Sequence, residues 1–253
     1  MSAETGAAPS VTAAVLIIGN EILSGRTQDA NLGFIARGLG ELGIVLREAR
    51  VIPDIPAVII ATVNELRAGH DYLFTTGGIG PTHDDITSEC VARAFDLPLV
   101  VHPDAHRQFL SYYKPGELNE ARMRMAMTPE GATLIANPIS RAPGFRIGNV
   151  FVMAGIPSVM QAMFDGVKGS LKGGPPVLSR TLECGIPEGL LAKGLGDIQG
   201  RYGDLDIGSY PFTRRGGFGV ALVLRGREAA RLDAAAAEVA DLIRALGGTP
   251  AAV

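Results

Sequence analysis

Two neighbouring aspartates, Asp84 and Asp85, follow a glycine-rich turn within residues 71–95, DYLFTTGGIGPTHDDITSECVARAF. The turn contains three glycines: Gly77, Gly78 and Gly80. The apolar pattern predicts a buried strand before the turn and an amphipathic helix after it. At such a junction backbone N–H groups are unpaired and the helix dipole favours negative charge, and glycine lets an anion reach the main chain. The turn therefore predicts a phosphate-binding site.

A divalent metal ion is predicted beside that phosphate, because two carboxylates alone would repel it. Hard cations bind carboxylate and phosphate oxygens together. We expect Asp84 and Asp85 to be metal ligands and catalytic residues at a metal that activates water and polarises a phosphoryl oxygen. The amide that follows Gly78 would stabilise developing negative charge. The alternative is that Asp85 only caps the helix.

Other polar residues near the predicted strand ends have two possible roles each. His83 is a candidate catalytic acid or phosphate donor, or else a solvated loop histidine. Glu21 is a candidate second metal ligand or base, or else an exposed surface residue. Asp29 and Asn31 are candidates for orienting part of the ligand, or else for a turn and helix cap.

Four further basic residues are candidates for binding a metal or a phosphate. His102 and His106 have the i, i+4 spacing of a zinc pair, but no HExxH motif surrounds them, so an exposed helix face is the favoured interpretation. Arg122 and Arg124 are candidates to neutralise a second phosphate, with a solvated helix face as the alternative.

Alternating strands and helices position these residues. Strands predicted at 11–18, 44–52, 72–75, 133–136 and 149–153, with helices between most of them, indicate an α/β fold with three α/β/α layers and a mostly parallel sheet. The turn NPISRAPGF is predicted between the last two strands. In such sheets ligands bind at the carboxyl ends of the strands. We predict this domain at 11–172, a linker at 169–176, and a small α+β domain of βαββα order at 177–248.

Composition limits the partners. The 253 residues are 47% hydrophobic, and a net charge of −3 gives no reason to expect nucleic acid or an anionic membrane surface as a partner. The chain has only two cysteines and no apolar run of transmembrane length, and its start, MSAETGAAPS, lacks the features of a signal peptide. We therefore expect a loose N-terminal tail on a soluble cytoplasmic protein.

Four sequence segments together resemble the molybdopterin-binding fold family, in its competence/damage-inducible protein A branch. They are GGIGPTHDDIT, GNEILSGRTQDAN, NPISRAPGF and AGIPSVM. The resemblance implies a small nucleotide or pterin as ligand and places Gly77, Gly78, Gly80, Asp85, Thr87 and Glu89 in the family's ligand-binding turn. Asp29 and Asn31 would then orient a ribose or pterin edge. The further residues predicted to bind the ligand are Thr82, Glu21, Asp29, Asn31, Gly155, Pro157 and Ser158.

The resemblance also implies an activity. Asp84 stands where molybdopterin-adenylylating relatives usually carry Arg, which favours metal-dependent hydrolysis of a dinucleotide pyrophosphate such as ADP-ribose or FAD. The implied cofactor is Mg, Co or Ni, with K⁺ as a further candidate, and the implied assembly is a homo-oligomer. One departure favours an alternative: residues 154–159 read AGIPSV where the family pattern is PGVPSE. That alternative is a non-catalytic molybdopterin- or nucleotide-binding protein linked to molybdenum-cofactor biosynthesis.

Overall fold

The computed structural model describes residues 10–214 and 217–253. Residues 1–9, most of the predicted N-terminal tail, lie outside the described residues. The chain forms two compact units that divide between Gly174 and Pro175. That division falls within the predicted linker at 169–176.

The first unit is built on a six-stranded sheet of order β2-β1-β3-β8-β7-β6. Strands β2, β1, β3 and β8 run parallel, and β7 and β6 complete the sheet in antiparallel pairing. A separate antiparallel pair joins β4 to β5. The strands are β1 (Thr12–Ile18), β2 (Val45–Ile52), β3 (Tyr72–Thr76), β4 (Leu99–Val101), β5 (Met127–Pro129), β6 (Thr133–Ile135), β7 (Gly144–Ile147) and β8 (Val150–Met153).

Helices cover both faces of this sheet. They are α1 (Asn20–Leu23), α2 (Asn31–Glu41), α3 (Pro56–Gly69), α4 (Thr87–Ala94), α5 (Pro103–Tyr112), α6 (Glu120–Arg124) and α7 (Pro157–Lys168). One core cluster packs α2 and α7 on one face, through Ile35 and Phe164. A second cluster packs α3 and α4 on the other, through Val63 and Val91. Alternate residues of β1 enter the two clusters, as expected for a parallel strand buried on both faces. The predicted three-layer α/β/α architecture is confirmed.

Two local details differ from the predictions. The segment predicted as one turn after β6 contains β7, where Gly144 approaches β8 so closely that a Cβ would lie 2.4 Å from Val152 O. The residues ELNEARMRMAM predict a longer helix than α6, which has five residues.

The second unit has a four-stranded antiparallel sheet of order β10-β11-β9-β12. Its elements are β9 (Leu178–Cys184), α8 (Glu188–Arg201), β10 (Asp206–Arg214), β11 (Gly217–Gly226), α9 (Ala229–Ala245) and β12 (Ala251–Ala252). Leu222 of β11 and Val239 of α9 lie in one buried cluster. The predicted small α+β fold is confirmed, with the two-residue β12 added after α9. Within the described part of the chain, every helix is too short or too polar to cross a bilayer.

Both cysteines are free and buried. Burial raises the pKa of the Cys90 thiol to about 11, so at pH 7 it is protonated and poorly nucleophilic. We expect native protein to incorporate little iodoacetamide at pH 7 over an hour and to take up two equivalents in denaturant. Intact-mass spectrometry gives the count, and rapid labelling of Cys90 in the native state would contradict this packing.

Candidate functional site

A cleft of about 520 Å³ opens at the carboxyl ends of three adjacent parallel strands, β1, β3 and β8. Each strand is followed by a segment that lines it, as expected for a ligand site in a parallel α/β sheet. The lining residues are Glu21, Thr27, Gly77, Gly78, Ile79, Gly80, Pro81, Asp85, Met125, Asn137, Ser140, Ala142, Ala154, Gly155, Ile156, Pro157 and Val159. Most of them are apolar, so the cleft suits a ligand with a flat or apolar part.

The first two glycines of the central turn have left-handed backbones, with φ of 101° at Gly77 and 68° at Gly78. A Cβ at Gly77 would lie 2.2 Å from Ile18 O, and one at Gly78 would lie 2.1 Å from Thr87 Oγ1. The turn is also held by hydrogen bonds, since Gly77 N donates to Met153 O at 3.1 Å. Glycine is therefore required here both by conformation and by space.

Asp85 forms part of the cleft wall. Its Oδ2 accepts from Thr82 N at 2.8 Å and from Thr82 Oγ1 at 2.5 Å. The same carboxylate packs against Gly80, where a Cβ would lie 2.5 Å from Oδ2. Helix α4 has Ile86 as its N-cap, with no side-chain capping bond. Asp85 therefore closes the turn of residues 82–85 and does not cap the helix.

Asp84 and His83 lie at the surface of the turn. Their side chains are 64% and 96% exposed, and His83 Nδ1 lies 3.9 Å from Asp84 Oδ1. The Thr82 hydroxyl, the Asp84 amide and the charge of His83 together lower the pKa of Asp84. Neither residue is among those that line the cleft. The structure thus brings one of the two predicted metal ligands, Asp85, into the cleft wall.

The segment after β1 brings Glu21 to the same cleft. The Glu21 carboxylate folds back against Gly19, and Asn20 N donates to Asp54 Oδ2 at 2.8 Å, which ties this segment to the end of β2. Asp29 Oδ2 accepts from Leu32 N at 2.9 Å, the helix-capping role that was its alternative.

Asn31 is 4% exposed and contacts a cleft-lining segment: its Nδ2 donates to Gly155 O at 2.8 Å. Its Oδ1 has no hydrogen-bond partner among the described residues. Asn31 therefore supports the cleft from behind the main chain of Gly155.

The other predicted ligand-binding residues have different surroundings. Gly155 and Pro157 line the cleft, whereas Ser158 is exposed and does not. Thr87 is fully buried against Gly78. Glu89 lines a smaller, neighbouring cavity.

Asn137 is a cleft residue that the sequence analysis did not name as a site residue. It is 2% exposed, and its carboxamide shapes the loop of residues 137–142 through four bonds. Nδ2 donates to Ser140 Oγ and to Ala142 O, while Oδ1 accepts from the amides of Ile139 and Ser140. The signal was present in NPISRAPGF, because an Asn that begins a turn often bonds the backbone that follows it.

We expect Asn137→Ala to weaken ligand binding in the cleft by about tenfold and to lower stability by about 1–3 kcal/mol, since it leaves buried polar groups of the loop unpaired. Asn137→Asp keeps the acceptor but replaces the donor, so its effect should be intermediate. Calorimetric titration with AMP and MgCl₂ measures the affinity, and urea unfolding measures the stability. Asn64→Ala removes one side-chain bond on α3 and is the control; equal losses in both alanine variants would contradict a special role for Asn137.

The remaining candidates lie elsewhere. His102 Nδ1 accepts from Asp104 N at 3.2 Å and so caps α5. The Arg122 guanidinium lies 4.4 Å from the Tyr113 ring centre and donates to Glu117 O. Arg124, two residues after Arg122, lines the same small cavity as Glu89.

Two family models match the chain. One, described as "Probable molybdopterin binding domain", matches residues 14–173, which is more than half of the chain. The chain belongs to the molybdopterin-binding domain family. The second, described as "FAD synthase, middle domain", matches residues 176–247. The resemblance inferred from the glycine turn is thereby confirmed for the first unit.

Among the members and relatives of this family, CinA-like proteins are similar to the chain. A CinA-like protein of Desulfosudis oleivorans is 39% identical over 194 residues, which cover 72% of this chain and 47% of that protein. A probable FAD synthase of Caenorhabditis elegans is 30% identical over 262 residues, covering 92% of this chain and 50% of that protein. The chain spans about half the length of these two relatives.

A solved structure also matches. The crystal structure of CinA from Thermoplasma acidophilum, a protein of unknown function, is 31% identical in sequence, with a TM-score of 0.60. The match covers 64% of this chain and 98% of that one.

The cleft is negatively charged. Of the described residues that line it, Glu21 and Asp85 are the charged ones, and none is Lys, Arg or His. Within residues 10–214 and 217–253, no group of three or more His, Cys, Asp or Glu could hold a metal by itself. A phosphate in this cleft would therefore meet backbone amides and two carboxylates.

Proposed function

We propose that the first unit is a metal-dependent nucleotide pyrophosphatase that hydrolyses a dinucleotide such as ADP-ribose or FAD in this cleft. The observation that carries the proposal is that the glycine turn and the Asp85 carboxylate pack together in the wall of one cleft. None of the described residues that line this cleft is basic. Backbone amides suit a diphosphate, but the carboxylates oppose it unless a cation lies between them.

The donor set fits a small divalent cation. Asp85 and Glu21 line the same cleft and offer carboxylate oxygens. Mg²⁺ in phosphate-transfer sites commonly takes one or two carboxylates and completes its coordination with water and phosphate oxygens. When bound, Mg²⁺, Co²⁺ or Ni²⁺ would polarise a phosphoryl oxygen and lower the pKa of water; K⁺ remains a further candidate ion. Asp84, 64% exposed, is the predicted ligand with the weaker geometric support.

The chain's own groups supply the rest of the chemistry. Thr82 fixes the orientation of Asp85 through two hydrogen bonds, which keeps its carboxylate in place before a ligand arrives. Amides of the turn can donate to phosphoryl oxygens, because the glycines leave the main chain uncovered. Apolar groups such as Ile79, Ile156 and Met125 offer a surface for a base or flavin ring.

The comparisons support a nucleotide-related substrate. The second unit matches a domain described as part of FAD synthase, and one relative is a probable FAD synthase. Because the chain covers only half of that relative, its activity does not transfer as a whole.

A second candidate function is non-catalytic binding of molybdopterin or a nucleotide, linked to molybdenum-cofactor biosynthesis. The segment Ala154–Gly155–Ile156–Pro157–Ser158–Val159 favours it, since Val159 stands where the family pattern has a carboxylate. Val159 lines the cleft and is 4% exposed, so this part of the wall offers no ionisable group.

A hydrolysis screen separates the two candidates. ADP-ribose, FAD and NADH are each incubated with Mg²⁺, Co²⁺ or Ni²⁺, with and without K⁺, and products are identified by mass spectrometry. Release of AMP in a metal-dependent reaction supports the pyrophosphatase. Binding of a pterin or nucleotide with no cleavage under any metal would establish the binding function instead.

A further inference from the structure

A cavity of about 280 Å³ is lined by helix α5 and by the loop of residues 137–142. Its described lining residues are Gln108, Ser111, Tyr112 and Arg141. Each of these side chains carries a hydrogen-bond donor, one of them is a cation, and none is acidic. It is termed the donor cavity. Its charge is opposite to that of the cleft, whose charged lining residues are Glu21 and Asp85.

Arg141 has a left-handed backbone, with φ of 67°. Its amide donates to Asn137 O at 3.2 Å, which closes a single helical turn and fixes this conformation. Glycine adopts such a backbone freely, whereas a residue with a Cβ does so at an energetic cost. Among the described non-glycine residues the other positive φ is at Asp96, just after α4, where a short polar side chain tolerates it. Arginine is therefore an unfavourable residue for the backbone at position 141.

The Arg141 guanidinium has no intramolecular partner among the described residues: it makes neither an ion pair nor a hydrogen bond there. Its side chain is exposed. Arg50 shows the contrast, since it binds Glu65 through two hydrogen bonds of 2.6 and 2.7 Å. A strained backbone that places an unpaired cation beside other donors indicates that the side chain acts on a group from outside the chain.

An oxyanion fits the groups of the donor cavity. A guanidinium binds two oxygens of a phosphate or sulfate through parallel hydrogen bonds, which are stronger than bonds between neutral groups. The Gln108 carboxamide and the Tyr112 hydroxyl can donate to the remaining oxygens. The Ser111 hydroxyl already donates to Gln108 O at 2.8 Å, so it is not counted as a donor to the ligand. Since no carboxylate is among the described lining residues, an anion needs no metal ion here, in contrast to the cleft.

We propose that the donor cavity binds a free tetrahedral oxyanion such as inorganic phosphate, with Arg141 as its main ligand. This site is separate from the cleft and does not depend on the proposed hydrolysis. It is linked to the cleft through the loop, because Ser140 and Ala142, on either side of Arg141, both line the cleft. An anion on Arg141 would therefore hold in place a loop that forms part of the cleft wall.

Thermal unfolding of the full chain in sodium phosphate, with NaCl of equal ionic strength and pH as the reference, tests this site. A ligand that binds only folded protein raises the unfolding midpoint, so we expect phosphate to raise that of wild type in a saturable way. Arg141→Gly should weaken the apparent phosphate affinity by about tenfold or more, since the charge-assisted hydrogen bonds are lost. The same variant should unfold at a higher temperature than wild type in NaCl, because glycine relieves the left-handed backbone. Arg141→Lys should retain part of the affinity, because it keeps the charge but loses the paired geometry.

Asp96→Gly is the matched control, because it relieves a left-handed backbone, with φ of 52°, at a residue that does not line the donor cavity. It should raise the midpoint in NaCl and leave the response to phosphate unchanged. A wild type that does not respond to phosphate would overturn the inference. Equal responses in wild type and Arg141→Gly would also overturn it, since the anion would then bind elsewhere, such as at the glycine turn.

AMP with MgCl₂ tests whether the site is separate from the cleft. The rise in midpoint that AMP causes is expected to be the same in wild type and Arg141→Gly. Loss of the AMP response in Arg141→Gly, together with the phosphate response, would assign the guanidinium to a cleft ligand and overturn the separate site. Hydrolysis is not used in either measurement, so the outcome does not depend on whether the protein cleaves a dinucleotide.

Discussion

Asp85→Asn is expected to lower metal-dependent hydrolysis of ADP-ribose or FAD by about 10² to 10³, equivalent to roughly 3–4 kcal/mol of transition-state stabilisation. Asparagine is close in size, and its carbonyl oxygen can still accept from Thr82 N and Oγ1. The turn should therefore keep its shape while the cleft loses one of its two charges. Because a hard divalent cation prefers an anionic oxygen, the metal concentration for half-maximal activity should rise as well.

Asp84→Asn is the matched control for this substitution. It removes an adjacent charge, but from a side chain that is 64% exposed and does not line the cleft. Exposed charges are well screened, so we expect activity within about threefold of wild type. Initial rates across a metal titration measure both variants. A larger loss in Asp84→Asn than in Asp85→Asn would reverse the assignment of the metal ligand.

The architecture could be predicted because its determinants are local. Continuous apolar runs such as TAAVLII predicted buried parallel strands, and the glycines after β3 predicted the turn at the ligand-binding end of the sheet. These features follow from hydrophobic period and backbone freedom, both of which act over a few residues. The antiparallel strand β7 was missed because its Pro-Gly start is typical of a turn.

The side-chain geometry of the site could not be predicted in the same way. Asp84 and Asp85 are chemically identical and adjacent, and only the backbone path of residues 81–86 decides which carboxylate faces the cleft. Asn137 reaches the cleft from a loop about fifty residues away, through contacts that no local pattern encodes. The same applies to Arg124, whose position beside the turn depends on how α6 packs. The sequence therefore indicates where the cleft lies, but not which of the polar side chains near it form the wall.

Gly77→Ala is expected to destabilise the first unit by about 3 kcal/mol or more, the range of severe backbone and packing defects. An alanine Cβ would lie 2.2 Å from Ile18 O, well inside van der Waals contact, on a backbone with φ of 101°. Neither residue can shift without disrupting other contacts, since Ile18 ends a central strand and Gly77 N donates a hydrogen bond to Met153 O. Urea unfolding followed by circular dichroism gives the shift in midpoint. Gly166→Ala, on an exposed part of α7 with open space around it, is the control and should gain about 0.5–1 kcal/mol.

Gly78→Ala tests whether steric contact or backbone conformation dominates at the next position. Its Cβ would meet a side chain, Thr87 Oγ1 at 2.1 Å, and that hydroxyl has no hydrogen-bond partner in the described structure. Adding Thr87→Ala should therefore recover part of the stability lost in Gly78→Ala, and the deficit that remains reports the cost of φ 68° for alanine. No second substitution of this kind is available at Gly77, where the obstacle is a backbone carbonyl. A Gly77→Ala variant as stable as wild type would show that the turn does not have this conformation. The turn would then not present its backbone amides to a phosphate beside Asp85.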